Sequence, residues 1–384
     1  MMLNIYIEVK ELYFMTNKKV LKLLAMLLTL AMLFAACNGG AAPAPGVTPD
    51  TAQNVAPPAE GDEEDVVRVA MVLSGFLGDL SFNDSANQGV QRAIQELGVE
   101  VTILESGNPA DWESNFVAMA SADYDLVLAI STQFQDIVET HAPSFPDTRI
   151  ALIDGVAGGN NLNVVSTIFA QNEGSFLAGA AAAMFTTRTE IPGVNEENII
   201  GWVGGMDIPV LSDFFIGFEQ GARYIDPDIQ ILQSFAGTFN DPLAGRELAL
   251  AQFDMGADII MNVASGTGVG VLEAAAETGM FAVGVDIDQD GEQPGHVLTS
   301  MLKRVDVATF TVIESVVNGT FQGDTTLYLD VANGGVSLTD MSVMQAALGE
   351  LFPTDILETV AELEAGIRSG DIVVENYPGF GRSS

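Results

Sequence analysis

The sequence predicts an α/β fold of two doubly wound parallel-sheet lobes, joined by crossover segments, with a ligand cleft between them. Three observations lead there. At 384 residues the chain exceeds what one hydrophobic core usually serves. From Val66 onward, short Val/Ile/Leu runs alternate with longer amphipathic segments, the β-α-β rhythm of a parallel sheet. Near residue 169 that rhythm completes itself and starts again, so two units follow one another.

In the first unit the strands read VVRVAMVL (66–73), VEVTILE (99–105), YDLVLAIS (124–131), TRIALID (148–154) and NVVSTIF (163–169), with helical patterns such as SANQGVQRAIQELG and DWESNFVAMASA between them. Gly, Pro, Asn or Asp punctuate the junctions. The second unit runs from helix NEGSFLAGAAAAMF through strands IIGWVGG (199–205), IQILQSFAG (229–237), ADIIMNVA (257–264) and MFAVGVD (280–286), each followed or preceded by a helix-length amphipathic stretch. HVLTSML (296–302) and the helix VDVATFTVIESVVNG (305–319) come after that unit is complete and are expected to return to the first lobe. A helix ILETVAELEAGIRSG and a strand DIVVEN (371–376) close the chain. The predicted lobes are therefore 66–168 plus 297–323, and 169–296 plus 324–384.

Upstream, Lys18, Lys19 and Lys22 precede an apolar run, LLAMLLTLAMLF, that ends at Ala35-Ala36-Cys37. This is the layout of a bacterial secretion signal, predicted over 1–36, and a Cys at the cut site marks a lipoprotein whose thiol carries the lipid. The run is short for the roughly 20 residues a bilayer span needs. Residues 1–14 put acidic residues ahead of the basic region, which points to Met15 as the true start. From Cys37 to Asp65 the composition is Ala, Pro, Gly and acid with no apolar periodicity, that of an extended, disordered tether.

The chain holds 14 Lys+Arg against 52 Asp+Glu, a net charge of -38 that repels phosphate backbones, so nucleic acid is excluded as a partner. Solubility or adaptation to salt or heat accounts for this acidity, and an acidic face for a cationic ligand is the second account. A single cysteine allows no disulfide within the chain and no multi-cysteine zinc site. With only His141 and His296 available, and no phosphate-binding GxxxxGK[ST] loop, neither a catalytic triad nor nucleotide hydrolysis has support.

The loops at the strand ends carry the candidate site. SGFLGDLSFND (74–84) has glycines for close backbone approach, and Asn83 or Asp84 is placed to cap the next helix and leave amide donors free at its start. Phe82 in this polar loop is either a core anchor or a stacking face for a planar ligand; Phe239, in AGTFNDP, is its counterpart in the second unit. Two such rings across a cleft could sandwich a base, each worth ~1–3 kcal/mol by analogy with base stacking on other proteins. Asp286 ends strand AVGVD, where a carboxylate can accept both hydroxyls of a ribose. Lys303 either offsets that charge and adds donors, or is a surface lysine compensating Asp306. DIDQDG (286–291) begins like a calcium loop, but its twelfth position is Val297 and Pro294 interrupts it, so no metal is expected. SGTGVG (265–270) lacks the first-unit context of a dinucleotide fingerprint and is expected to let backbone approach a neutral ligand, so no cofactor is expected either.

Taken together, GDLSFN (78–83), QNEGSFLAG (171–179), GGMDIPVLSDFFIGFEQGA (204–222), TFNDP (238–242), GADIIMNVASGTGVGV (256–271), GVDIDQ (284–289) and LTSMLKRVD (298–306) resemble the basic membrane protein family, bacterial lipoproteins that feed purine nucleosides to ABC importers. The resemblance runs from Val66 to about Gly319. It implies a type I periplasmic-binding-protein fold closing on a nucleoside, with an ABC permease as partner and the membrane reached through the lipid on Cys37. By motif match, Phe82 and Phe239 would sandwich the base, Asn83, Asp286 and Lys303 would hold chiefly the ribose, Asp154 would point at the base, and Gly266 would lie near the ribose. One departure is visible: Leu73 stands where members often carry Asp, which leaves base identity open. A ligand-sensing lipoprotein and a nucleoside hydrolase are the other readings of the same cleft.

Overall fold

Continuous apolar runs form the central strands because helices cover both of their faces, and the edge strands alternate because only one face is covered. The computed structural model describes residues 66–159 and 161–380. The predicted signal over 1–36, the start at Met15, Cys37 and the tether lie outside the described residues. One sheet holds β1 (Arg68–Leu73), β2 (Glu100–Glu105), β3 (Leu126–Ile130), β4 (Arg149–Ile153) and β5 (Val164–Phe169). A second holds β6 (Ile199–Gly204), β7 (Gln230–Phe235), β8 (Ala257–Val263), β9 (Phe281–Asp286) and β10 (Val297–Lys303). Two later strands complete them: β11 (Thr325–Leu329) joins the first and β12 (Val336–Leu338) the second, in the orders β11-β5-β4-β3-β1-β2 and β12-β10-β9-β8-β6-β7. All pairings are parallel except β10 with β12. Every residue of β3, β8 and β9 is buried, whereas edge strands β2 and β7 have no buried residue.

The helices are α1 (Phe82–Leu97), α2 (Pro109–Ala120), α3 (Gln135–His141), α4 (Gln171–Phe185), α5 (Pro209–Ile225), α6 (Pro242–Asp254), α7 (Gly266–Thr278), α8 (Val305–Val317), α9 (Ser342–Leu348) and α10 (Asp355–Ser369). Their starts follow local chemistry. Proline occupies the first turn of α2, α5 and α6, and Asn108 and Asp241 accept backbone N–H groups of the first turns of α2 and α6.

The chain passes between the lobes three times: at Ala170, between β5 and α4; at Arg304, between β10 and α8; and over residues 330–335, between β11 and β12. These passages are tied to one another, since Ala170 N donates to Leu329 O (2.7 Å) and Arg304 N to Gly335 O (2.9 Å). Helix α8 returns to the first lobe and lies so close to α1 that a Cβ on Gly89 would come within 2.3 Å of the Asp306 carbonyl oxygen.

Two predicted lobe boundaries move. Residues 297–303 belong to the second sheet, paired with β9, so the return to the first lobe begins at α8 and not at the strand before it. Residues 325–329 belong to the first sheet, where they extend its edge beside β5. The predicted strand over 371–376 is extended chain without a strand partner. Side chains take over the ladder's work there: Asn172 donates to the carbonyls of Val374 and Glu375, and Gln220 both donates to Val373 O and accepts from Glu375 N.

Candidate ligand-binding cleft

Parallel strands of both sheets end at the same cleft, and the segments after β1, β3, β4, β6, β7 and β8 and the last residues of β9 and β10 all contribute to its wall. The space they enclose, open mouth included, is about 620 Å³. Phe82, Asn83, Asp154, Phe239, Asp286 and Lys303 line this one cavity, although they are spread over 222 positions (from 82 to 303, both counted). Gly266 does not. It faces a neighbouring depression formed with Asp79 and Asn240, where an added Cβ would sit 3.2 Å from the Phe239 carbonyl oxygen. The glycines of SGTGVG serve helix packing instead: a Cβ on Gly268 would strike Asn262 at 2.1 Å and one on Gly270 the Pro242 carbonyl at 1.8 Å. From that loop it is Ser265 that reaches the cavity.

Lys303 is the charge at the floor, 1 % exposed, beside the Arg304 passage. Its Nζ lies 2.8 Å from Asp154 Oδ1 across the lobes, and 5.0 to 5.5 Å from the ring centres of Phe82, Phe169 and Phe214. This cage of one carboxylate and three π-faces offsets the loss of water around the ammonium. Asp306 has a different partner, Arg304, whose guanidinium meets it with two bonds of 2.8 Å. Asp154, directly after β4, and Asp286, the last residue of β9, both have positive φ, 70° and 66°, at the ends of corresponding strands of the two sheets. Ser131 and Ser265 repeat the pattern after β3 and β8. Backbone strain of this kind persists where the surroundings over-determine it, and here it turns four polar side chains toward the cleft.

Burial pushes the Asp286 carboxyl up to about 6, against the pull of Lys303 and the Ser81 hydroxyl, and the charges of Asp79 and Asp154 add to the rise. Asp154 is raised by burial and held back by Lys303. Asp213, one helical residue before the cavity-lining Phe214, is raised by burial to about 6; it accepts from Gln171 Nε2 and from Tyr377 N.

Asp79, unnoticed in the sequence, organises the loop that the sequence assigned to Asn83 or Asp84. Its carboxylate accepts from the backbone N–H of Ser81, Asn83 and Asp84, so the first amides of α1 are already occupied. Asp84 points back and accepts from Gly78 N and Leu80 N. The same loop is fastened to the other lobe by three bonds: Ser265 Oγ donates to Asp79 (2.6 Å), Ser81 Oγ donates to Asp286, and Gln289 Nε2 donates to Leu80 O (2.7 Å). In DIDQDG, therefore, Asp286 and Gln289 hold the lobes together, and Asp290 accepts from Ser300 Oγ. His141 and His296 lie away from the cavity, beside Glu113 and the Met280 carbonyl. Leu73 is fully buried in the core of the first lobe, and Ser74 is the residue of that strand end on the cavity wall.

Two α/β lobes, three interlobe passages and a polar-and-aromatic cavity at the facing strand ends define a solute-binding protein of the type I periplasmic kind. Residues 66–350 match the model of the PnrA-like ABC transporter substrate-binding proteins, and the chain belongs to that family. Among relatives, a protein of Lactococcus lactis named ABC transporter nucleoside-binding protein BmpA is 30% identical over 319 residues, covering 78% of this chain and 86% of its own. An uncharacterized lipoprotein of Pyrococcus abyssi is 31% identical over 344 residues, covering 80% and 83%. The crystal structure of a solute-binding protein of an ABC transporter system from Aeropyrum pernix K1 superposes with a TM-score of 0.76 at 31% identity, over 81% of this chain and 94% of that one.

Proposed function

We propose that this substrate-binding protein captures a nucleoside, is held outside the cytoplasm by a lipid on Cys37, and hands its ligand to an ABC permease. The observation that carries the ligand class is the cavity wall: two phenylalanines, Phe82 and Phe239, contributed by opposite lobes, with Asp154, Asp286 and Lys303 beside them. Aromatic faces bind a flat base, and carboxylates with an ammonium bind hydroxyls. The name of the Lactococcus lactis relative supports the same class, and the relatives named lipoproteins support the anchor.

Holding, not turnover, is the chemistry this cavity favours. Asp286 accepts from Ser81 and Asp154 pairs with Lys303, which fixes both carboxylates in place as acceptors for ligand groups. A thermal-shift panel of nucleosides and sugars tests the reading, because a ligand at a hundred times its Kd adds ~2.7 kcal/mol of stability. Stabilisation by nucleosides with no free base released on long incubation is the expected result. A shift with sugars alone would replace the ligand class, and steady release of base would replace binding by catalysis.

A further inference from the structure

Some polar side chains on the cavity wall are already engaged within the protein, and others, Asn83 at its Oδ1 and Gln133, are not. Asp154, Asp286 and Ser265 are engaged with Lys303, Ser81 and Asp79. Gln133 is not: its Nε2 has only the Met206 sulfur at 3.9 Å, and its Oε1 stands 3.5 Å from Ser131 Oγ. A thioether is a weak acceptor and 3.5 Å is the limit of a hydrogen bond, so this amide brings an unspent donor and an unspent acceptor on one planar group to the wall.

The mount of Gln133 is rigid. Ser131, at φ 111°, donates its N–H to the Ile153 carbonyl and its hydroxyl oxygen accepts from Gln133 N. On the other side Phe134 is fully buried, its ring centre 5.9 Å from that of Trp112. The amide also stands at the Phe239 end of the cavity. It reaches Met206, and the preceding residue, Gly205, lies under the ring of Phe239, where a Cβ would come within 2.2 Å. Asp286 and Lys303 project from β9 and β10, on the far side of β8 from that loop.

From this placement we infer that Gln133 is a specificity-determining residue, reading the hydrogen-bonding edge of the base while Asp286 and Lys303 hold the sugar. The inference rests on the nucleoside reading and adds to it the group that ranks one base against another. A single side-chain amide presents a donor and an acceptor together, which matches a base edge that offers the complementary pair.

The test is isothermal titration of the full-length protein, Gln133→Leu and Gln133→Met with inosine and with purine riboside, which lacks the N–H and exocyclic oxygen of inosine. Gln133 is only partly buried, and thermal unfolding of the free variants checks that each folds as the parent does. The expected result is that the parent prefers inosine and that both variants lose roughly 5- to 150-fold in inosine affinity while purine riboside changes little, so the preference collapses. An unchanged inosine-to-purine-riboside ratio in both variants overturns the assignment and leaves nucleoside capture standing. A parent that binds neither compound, nor any other nucleoside, overturns the ligand class and the assignment with it.

Discussion

Lys303 shows how one side chain can set the electrostatics of a whole cleft. Asp154 pairs with it directly, and its field also lowers Asp213 and Asp286, which burial raises. Removing one member of a buried ion pair leaves the other charge without a partner, at a cost of about 3–5 kcal/mol. Lys303→Met is therefore expected to lower the unfolding free energy from a denaturant titration by an amount of that order and to abolish nucleoside affinity. Lys303→Met with Asp154→Asn should recover part of the stability and none of the binding. A single variant as stable as the parent would mean that the pair contributes nothing to the fold. The residue types in these loops were legible before folding, because a phenylalanine in a polar loop and a carboxylate at a strand end have few other uses. Which partner each residue takes was not: the sequence offered Asp286 or Asp306 to Lys303, and the structure pairs it with Asp154 from the other lobe.

Among the elements, helices α4 and α5 cross with their backbones almost in contact. A Cβ on Gly179, Gly217 or Gly221 would come within 2.1, 2.0 and 1.9 Å of the carbonyl oxygens of Phe218, Asn172 and Phe176. Alanine is the better helix former by about 1 kcal/mol, so Gly221→Ala would stabilise a helix standing alone. Here the obstruction is backbone on a neighbouring helix, and overpacking of that kind costs typically about 1–3 kcal/mol. We expect Gly221→Ala to be destabilising by an amount of that size in a urea titration. A rise in the midpoint would show that the helices separate freely. Long apolar strands announce themselves by composition, so the nine consecutive strands from β1 to β9 were readable to within a residue or two. Strands β11 and β12 were not, because an edge strand of three to five residues is defined by the partner it finds, and 371–376 has strand-like residues but meets side-chain amides.

Over the whole molecule, buried acids make stability respond to pH in an uncommon direction. Asp213, Asp258 and Asp286 are each raised by burial to about 6 from 3.8. The native state then binds more protons than the unfolded chain between those values, so the contribution of these groups is fully present below about pH 4 and is lost as pH rises through about 6. Net charge works the same way, since protonation relieves the self-repulsion of a chain carrying -38. The protein is expected to be more resistant to urea at about pH 5 than at about pH 7.5. Equal or lower resistance at the acidic value would mean that these carboxyls are ionised in the native state at no cost.

Periodicity and junction residues, which are local properties of the chain, determined by themselves that this is a two-unit α/β protein with its loops of interest at the strand ends. Tertiary structure alone decided the rest. It placed β10 and β11 in opposite lobes, moved Gly266 off the cavity, made Asp79 the organiser of the first loop and brought Gln133 to the wall. Those outcomes depend on pairings between residues up to about two hundred positions apart, and a carboxylate or an amide carries no mark in the sequence of which distant hydrogen bond it will make.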